Sequence, residues 1–301
     1  MTAWLSLAVL LGIAPLLPGI AAKTVAMLTG RRGAPLFQPY RDLGRLIRKG
    51  SVYSTVTTWL FRAAPAMWAL SAFAAASFAP LDGRAGILHF AGDFLVFAGL
   101  LALGRGFLTV AALDTGSSFE GMGASRELMI GSFAEPVLFL AFLTLALATG
   151  GLSLTGLFGP PIGGAWAHFG ASVAMVALSL ALLMAAESAR GPIDDPATHL
   201  ELTMIHEVMI LDHSGPDLAL LLYGSALRFA LFAALLVDLV WPHASRNAGI
   251  AVTGLVAGLM MVAVLVGLAE ASMARLRMVR IPQYLLSAGV LAALGALLLV
   301  R

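Results

Sequence analysis

Residues 189 to 212 read ARGPIDDPATHLELTMIHEVMILD. The stretch gathers Arg190, Asp194, Asp195, His199, Glu201, His206, Glu207 and Asp212 in a chain where only 11% of residues are charged. Histidine titrates near neutral pH, and burial lifts a carboxyl toward the same range, so this mixture suits proton uptake. Pro192 and Pro196 interrupt any helix entering from upstream. Asp194 or Asp195 can cap a helix expected over 197–211. That helix would set His199, Thr203 and His206 on one stripe. Zinc hydrolysis is excluded as a reading, because the His-Glu-x-x-His spacing is missing. A serine triad is unsupported too, since no serine sits in a strand–turn–helix context. With no cysteine in the chain, no thiolate is available for zinc or an iron–sulfur cluster. The plain alternative is a solvated loop with capping acids.

More charges lie within long apolar runs. Asp93, Glu135, Asp238 and Glu270 do so, as do Lys23, Arg62, Arg105 and Arg228. A charge at the centre of a membrane span costs about 2.5–3.5 kcal/mol on insertion scales, so inward placement toward partners or water is expected. Lys23, Asp238 and Glu270 lie near run ends and can snorkel; Arg62 is shallow enough to do the same. Glu135 precedes Pro136, which has no N–H for the carbonyl of Ser132. Arg105 and Arg228 are deep, where only pairing or a wet cavity suits them. Glu135, Arg105 and Arg228 are therefore expected in one buried polar network. A proton path needs such a network, and a static ion-pair cluster looks the same.

The elements that must hold these groups are membrane helices. The chain is 60% hydrophobic with mean hydropathy +0.94. Soluble domains carry about 25% charged residues, more than twice the share found here. Roughly 20 apolar residues cross the hydrocarbon layer. Eight runs qualify, at 3–29, 57–80, 89–113, 127–150, 165–187, 215–240, 248–273 and 282–300. The expectation is an all-α, polytopic bundle of about eight transmembrane helices, a single membrane domain over 1–301. The first run is too long, and lacks the basic start, for a cleaved signal. Loops on one side hold eleven Lys and Arg, among them Arg31, Arg32, Arg41, Arg45, Arg48, Lys49, Arg126 and Arg190; the other side holds three. Basic loops stay inside. Both termini are thus expected outside a bacterial or archaeal plasma membrane.

Two cytoplasmic loops then stand out, an amphipathic one over 30–54 and the acidic one over 188–214. In the first, Leu36, Phe37, Tyr40, Leu43, Leu46 and Ile47 recur at helical spacing, with Arg41, Arg45, Arg48 and Lys49 opposite. Pro39 suits a first helical turn. This predicts a helix lying at the interface, a lipid anchor or a docking element. Gly163 and Gly164, after Pro160 and Pro161, read as a turn.

The stretch ESARGPIDDPATHLELTMIHEVMILDHSGPDLALLLYG resembles the membrane subunit of energy-converting, formate-hydrogenlyase-type (group 4 [NiFe]) hydrogenases. These belong to the respiratory complex I subunit 1 family, that is, NADH dehydrogenase subunit 1. GRRGAPLFQPYRDLGRLIRKG is similar to that family's first cytoplasmic loop, and LDTGSSFEGMGASRELMIGSFAEP to its loop into the fourth span. The resemblance implies an anchor for a peripheral arm built from a hydrogenase large subunit and an iron–sulfur small subunit. It also implies antiporter-like membrane partners that move protons or sodium. The [NiFe] centre and the clusters would sit in the partners, with no cofactor, metal or catalytic residue in this chain and no nucleic acid bound. By match of motif, Glu135, Glu187, Asp194, Asp195, Glu201 and Glu207 fall on an acidic coupling track, to which His206, Arg105 and Arg228 add. Arg32, Arg126 and Arg190 fall on a basic lining; with Arg41, Arg45 and His199 they form the expected docking surface. The quinone-using branch carries Phe-Asp-Leu-Pro-Glu after the fifth span, where this chain has Ile-Asp-Asp-Pro-Ala at 193–197. That departure favours the hydrogenase branch over a quinone-site subunit. A purely structural anchor and a stand-alone transporter are the other readings; missing inverted repeats weigh against the last.

Overall fold

The structure is a computed structural model that describes residues 2–188, 190, 205–241, 247–273, 276 and 278–300. Asp194, Asp195, His199 and Glu201 lie outside the described residues. The elements run α1 (Thr2–Ile13), α2 (Leu16–Leu28), α3 (Gln38–Ile47), α4 (Trp59–Phe78), α5 (Asp93–Asp114) and α6 (Ser118–Thr149). They continue with α7 (Leu154–Phe158), α8 (Pro161–Glu187), α9 (His206–Met209), α10 (Gly215–Val240), α11 (Ala248–Ser272) and α12 (Ile281–Val300). Among the described residues there is no strand, only a single bridge between Leu81 and Arg84. The chain is an all-α, polytopic membrane protein. In lipid every backbone polar group must be satisfied within its own segment, which is why the apolar runs are helices.

Among the described residues six helices, α5, α6, α8, α10, α11 and α12, are long and apolar enough to cross a membrane; α1 and α2, bent by 44°, pass the same test only as a pair. The second expected span is α4, with 20 residues, where Arg62, Pro65 and two tryptophans dilute the apolar run. It packs between α5 and α10. The centre of the bundle is α10, whose side chains from Ala226 to Leu235 are all buried.

Small residues let the columns approach. A Cβ on Gly267 of α11 would lie 2.6 Å from the Ala21 carbonyl of α2. Hydroxyls tie α12 to its neighbours: Ser179 donates to the Ala288 carbonyl at 2.7 Å, Thr144 to Ala292 at 3.1 Å, and Tyr284 to Leu182 at 3.1 Å. Such interhelical bonds have no competing water in the hydrocarbon layer.

Charge also pins the ends. Asp93, fully buried in the first turn of α5, accepts the N–H of Leu154 at 2.6 Å and that of Phe90 at 3.3 Å. It therefore locks α7 onto α5. At the other end of α5, Asp114 accepts the backbone N–H of Thr58 at 2.6 Å and its hydroxyl at 3.0 Å, fixing the entry of α4.

Several expectations are corrected. Gly163 and Gly164 form no turn, because Pro161 starts α8 and both lie in its opening turns. That helix bends instead at Phe169, whose φ of −131° is non-helical. Arg126 is not on a loop. The Ser117–Ser118 entry starts α6 nine residues before the expected span, and 32 residues at about 1.5 Å each give a rod of roughly 48 Å. Asp238 does not snorkel; it is 1% exposed on α10. The helix expected over 197–211 appears, among the described residues, only as the short α9.

Candidate functional site

The site grows from Arg105, half-way along α5 and 4% exposed. Its neighbour Gly104 carries no side chain, so α5 lies close enough to α4 and α10 that a methyl there would strike the Ser71 hydroxyl and the Arg228 guanidinium. Gly131 of α6 makes the same kind of room on the other side, with Arg105 Cδ 3.2 Å from where its Cβ would be. Into this space come three carboxylates. Glu187, the last residue of α8, is hydrogen-bonded to Nη2 of Arg105. Glu127 lies 3.4 Å and Glu135 3.5 Å from the same guanidinium, both from α6. The two are eight residues apart, so they project from one face of α6. Their side chains differ in contact with the exterior: Glu187 is 7% exposed, Glu127 15% and Glu135 43%. Helix α6 continues through Pro136 without a break.

The second buried guanidinium, Arg228 of α10, is 1% exposed. It donates to the Leu101 carbonyl at 3.0 Å and to Ser71 Oγ at 3.2 Å. Its planar face lies 3.6 Å above the Trp68 ring. Trp68 in turn donates through Nε1 to Ser225 Oγ at 3.3 Å, and Ser225 meets His206 Nε2 at 2.9 Å. His206 also tilts against Trp68, with ring centroids 5.1 Å apart. Burial, with the Arg228 charge behind it, pulls His206 down to about 4. A neutral imidazole therefore caps a polar string that runs from α9 through Ser225 and Trp68 to Arg228.

His206 and Ser225 reach a cavity of about 240 Å³ that opens between α2, α3 and α10. Glu207 and Arg190 share its wall with Pro15, Pro39 and Phe229. Of the residues expected in the coupling network, the structure brings together Arg105, Glu135 and Glu187, and separately Arg228 and His206. Glu207 stands at the cavity rather than in either group.

The expected docking residues divide. Arg32, Arg41 and Arg45 are exposed, with Arg45 paired to Asp42. Arg190 turns inward, 3.9 Å from Glu270 of α11. Arg126 is half-buried, its guanidinium 3.0 Å from the Met122 sulfur. Helix α3 is split as well: Tyr40, Leu43 and Leu46 are half-buried, whereas Ile47 is 64% exposed. Of the groups expected to snorkel, Lys23 donates to the Arg32 carbonyl at 2.5 Å, and Arg62 lies over the Tyr53 ring at 4.7 Å.

Sequence reasoning missed Glu127, Trp68, Ser71 and Ser225. It also missed His213, 3% exposed and stacked face to face on Phe61 at 3.9 Å. Both His213 ring nitrogens lack a hydrogen-bond partner among the described residues. Burial holds this imidazole near 4, although Asp217 and Asp212 pull the other way. Among the described residues, no group of three or more His, Asp or Glu is arranged to hold a metal ion.

The sequence profile of the family described as NADH dehydrogenase matches residues 1–301. The chain is similar to hydrogenase-4 component C of Escherichia coli (strain K12), with 33% identity over 234 residues, covering 78% of this chain and 73% of that protein. It is similar to formate hydrogenlyase subunit 4 of the same organism, with 31% identity over 285 residues, 90% of this chain and 89% of that one. A chain of the membrane-bound sulfane sulfur reductase, an archaeal respiratory membrane complex, has the same fold. The TM-score is 0.83 at 19% identity, covering 99% of this chain and 98% of that one.

Proposed function

This chain belongs to the NADH dehydrogenase family, and we propose that it serves as the membrane anchor of a multisubunit [NiFe] hydrogenase. In that role it couples redox chemistry in a peripheral arm to the movement of protons or sodium ions. The hydrogenase and formate hydrogenlyase relatives support the branch. The arm would comprise a hydrogenase large subunit and an iron–sulfur small subunit, which hold the metal centres, and antiporter-like subunits would lie alongside in the membrane. On this reading α3 and the loop over 188–214 face the cytoplasm with the basic loops, and both termini lie outside.

The observation that carries the coupling role is the arrangement around Arg105. Three carboxylates, Glu127, Glu135 and Glu187, face one guanidinium, and Arg228 adds a second guanidinium behind Gly104. Three negative charges against two positive ones leave one, which a single proton cancels. In a low-dielectric setting that imbalance matters far more than in water. Glu135 is the most exposed of the three, so it is the natural member to exchange the proton. Arg105 holds the acids in place, and Arg228 sets the field behind them. His206 and Ser225 link the string to the cavity, and Glu207 and Arg190 line it. Asp194, Asp195 and Glu201 are assigned to the track, and His199 to the docking surface, by sequence alone.

The test is Glu135→Gln in the intact complex. Proton movement per hydrogen molecule falls, while dye-linked hydrogen evolution and assembly remain. Unchanged proton movement in an assembled complex overturns the role of Glu135. The cavity favours a second reading, a quinone site, because apolar Pro15, Pro18, Leu222 and Phe229 line it. At about 240 Å³ it lies below the roughly 300–1,000 Å³ of typical small-molecule pockets. Quinone in the purified complex, and inhibition by quinone analogues, would favour that reading instead.

A further inference from the structure

The first span breaks between α1 and α2, and two tyrosines occupy the break. Pro15, at φ −68°, has no N–H to give the Leu11 carbonyl four residues back. Tyr223 of α10 fills that vacancy, its hydroxyl donating to the Leu11 carbonyl at 3.1 Å. One residue on, a continuous helix would join the Leu16 N–H to the Gly12 carbonyl. Here the Tyr40 hydroxyl of α3 takes that carbonyl instead, donating to Gly12 at 2.5 Å. A side chain inserted into the helical ladder is a recognised cause of a sharp kink, and the bend is 44°. The chain entering α3 is held close as well, because a Cβ on Gly19 would lie 2.5 Å from the Leu36 carbonyl and 3.4 Å from Pro39 Cδ.

We propose that Tyr40 and Tyr223 are positioning residues: a hydroxyl clamp that seats the interfacial helix α3 and the central helix α10 on the same break in the first span. The proposal rests on the coupling role above. Ser225 and Arg228 follow Tyr223 on α10 within five residues, so the clamp sets their height against α3. Pro15, Pro39, Asp42 and Ser225 line the cavity beside it, so the clamp also sets the cavity's width. Helix α3 has no fully buried residue, with Tyr40, Leu43 and Leu46 half-buried, so these contacts add to a shallow packing. A shift of α3 would withdraw the Tyr40 hydroxyl and leave the Gly12 carbonyl without the donor it now has.

The experiment uses the intact complex carrying Tyr40→Phe or Tyr223→Phe, each of which keeps the ring and removes the hydroxyl. Hydrogen exchange of backbone amides is followed over 11–20 and 38–47. A single net hydrogen bond predicts about two- to tenfold faster exchange. The break over 11–20 and α3 respond in Y40F, and proton movement per hydrogen molecule falls in both variants with dye-linked hydrogen evolution retained. Pro15→Ala restores the N–H that Leu11 lacks, so Y223F should have no further effect on exchange in that background. Unchanged exchange in Y40F and Y223F overturns the clamp. Faster exchange with unchanged proton movement overturns its positioning role. If E135Q leaves proton movement intact while Y40F still loosens α3, the coupling role fails and the clamp stands as a structural joint.

Discussion

Trp68 and Arg228 give the most direct check on how a cation is kept at the centre of this bundle. The guanidinium lies 3.6 Å above the indole and is 1% exposed, so water does not screen the pair. A desolvated cation–π contact is worth about 2 kcal/mol. Trp68→Leu removes that contact, the bond from Nε1 to Ser225 at 3.3 Å, and ring volume. These add about 1 kcal/mol for the bond and about 3 kcal/mol for the cavity. The single variant should therefore lose about 5–6 kcal/mol in all. Arg228→Met replaces a buried charge by an apolar group of similar length, which is often neutral or stabilising. In the R228M background, W68L should lose only the bond and the volume. The double-mutant cycle then gives a coupling of about 2 kcal/mol. The assay is reversible unfolding of the purified chain in mixed dodecyl maltoside and SDS micelles. A coupling below about 0.5 kcal/mol, the range expected for independent sites, refutes the claim that the ring holds the cation.

Three further outcomes are expected. Gly131→Ala places a methyl against Arg105 and loosens its grip on Glu135; the same unfolding assay should show a net loss of about 1–2 kcal/mol, because overpacking exceeds the gain in helix propensity. Asp93→Ala strands the Leu154 N–H that the carboxylate now takes at 2.6 Å, costing about 2–3 kcal/mol, whereas Asp93→Asn keeps an acceptor and loses less; melting temperatures of the two variants separate the cases. His206 and His213 are both held near 4, below their ordinary 6.5. The unfolded chain then binds more protons between those values, so the stability of the 205–215 segment is full above pH 6.5 and declines as pH falls toward 4. Hydrogen exchange of that segment at pH 5 and 7 reads the change, and His213→Phe should remove the part due to His213.

The sequence yields the helical columns because hydrocarbon thickness imposes them, and it flags Arg105, Arg228 and Glu135 because charge in an apolar run is conspicuous. It does not flag Trp68, Ser71 or Ser225, which look like ordinary members of apolar helices until tertiary packing puts them beside Arg228. Glu127 escaped because hydropathy marks where apolar residues begin, not where helical hydrogen bonding does. Helix α6 starts nine residues before its apolar run, so a residue that looks like the edge of a loop is inside a rod. Gly163 and Gly164 misled in the opposite direction: Pro161 initiates a helix that carries both glycines past their usual role. Asp238 lies near a span end in sequence, yet α10 is buried from Ala226 through Leu239 apart from the half-buried Leu236, and Asp238 is turned into that packing.

The early start of α6 has a mechanical consequence. Its first turns are gripped by the segment before α10: Glu120 accepts the Asp212 N–H at 3.2 Å, and Gly123 lets the Ile205 carbonyl come within 3.1 Å of where a Cβ would stand. From Glu120 to Glu135 the rod runs fifteen residues, about 22 Å, with no proline to soften it. Pro136, the one proline of α6, comes just beyond the acid. A stiff lever whose compliance lies past its working tip delivers displacement to that tip instead of dissipating it on the way.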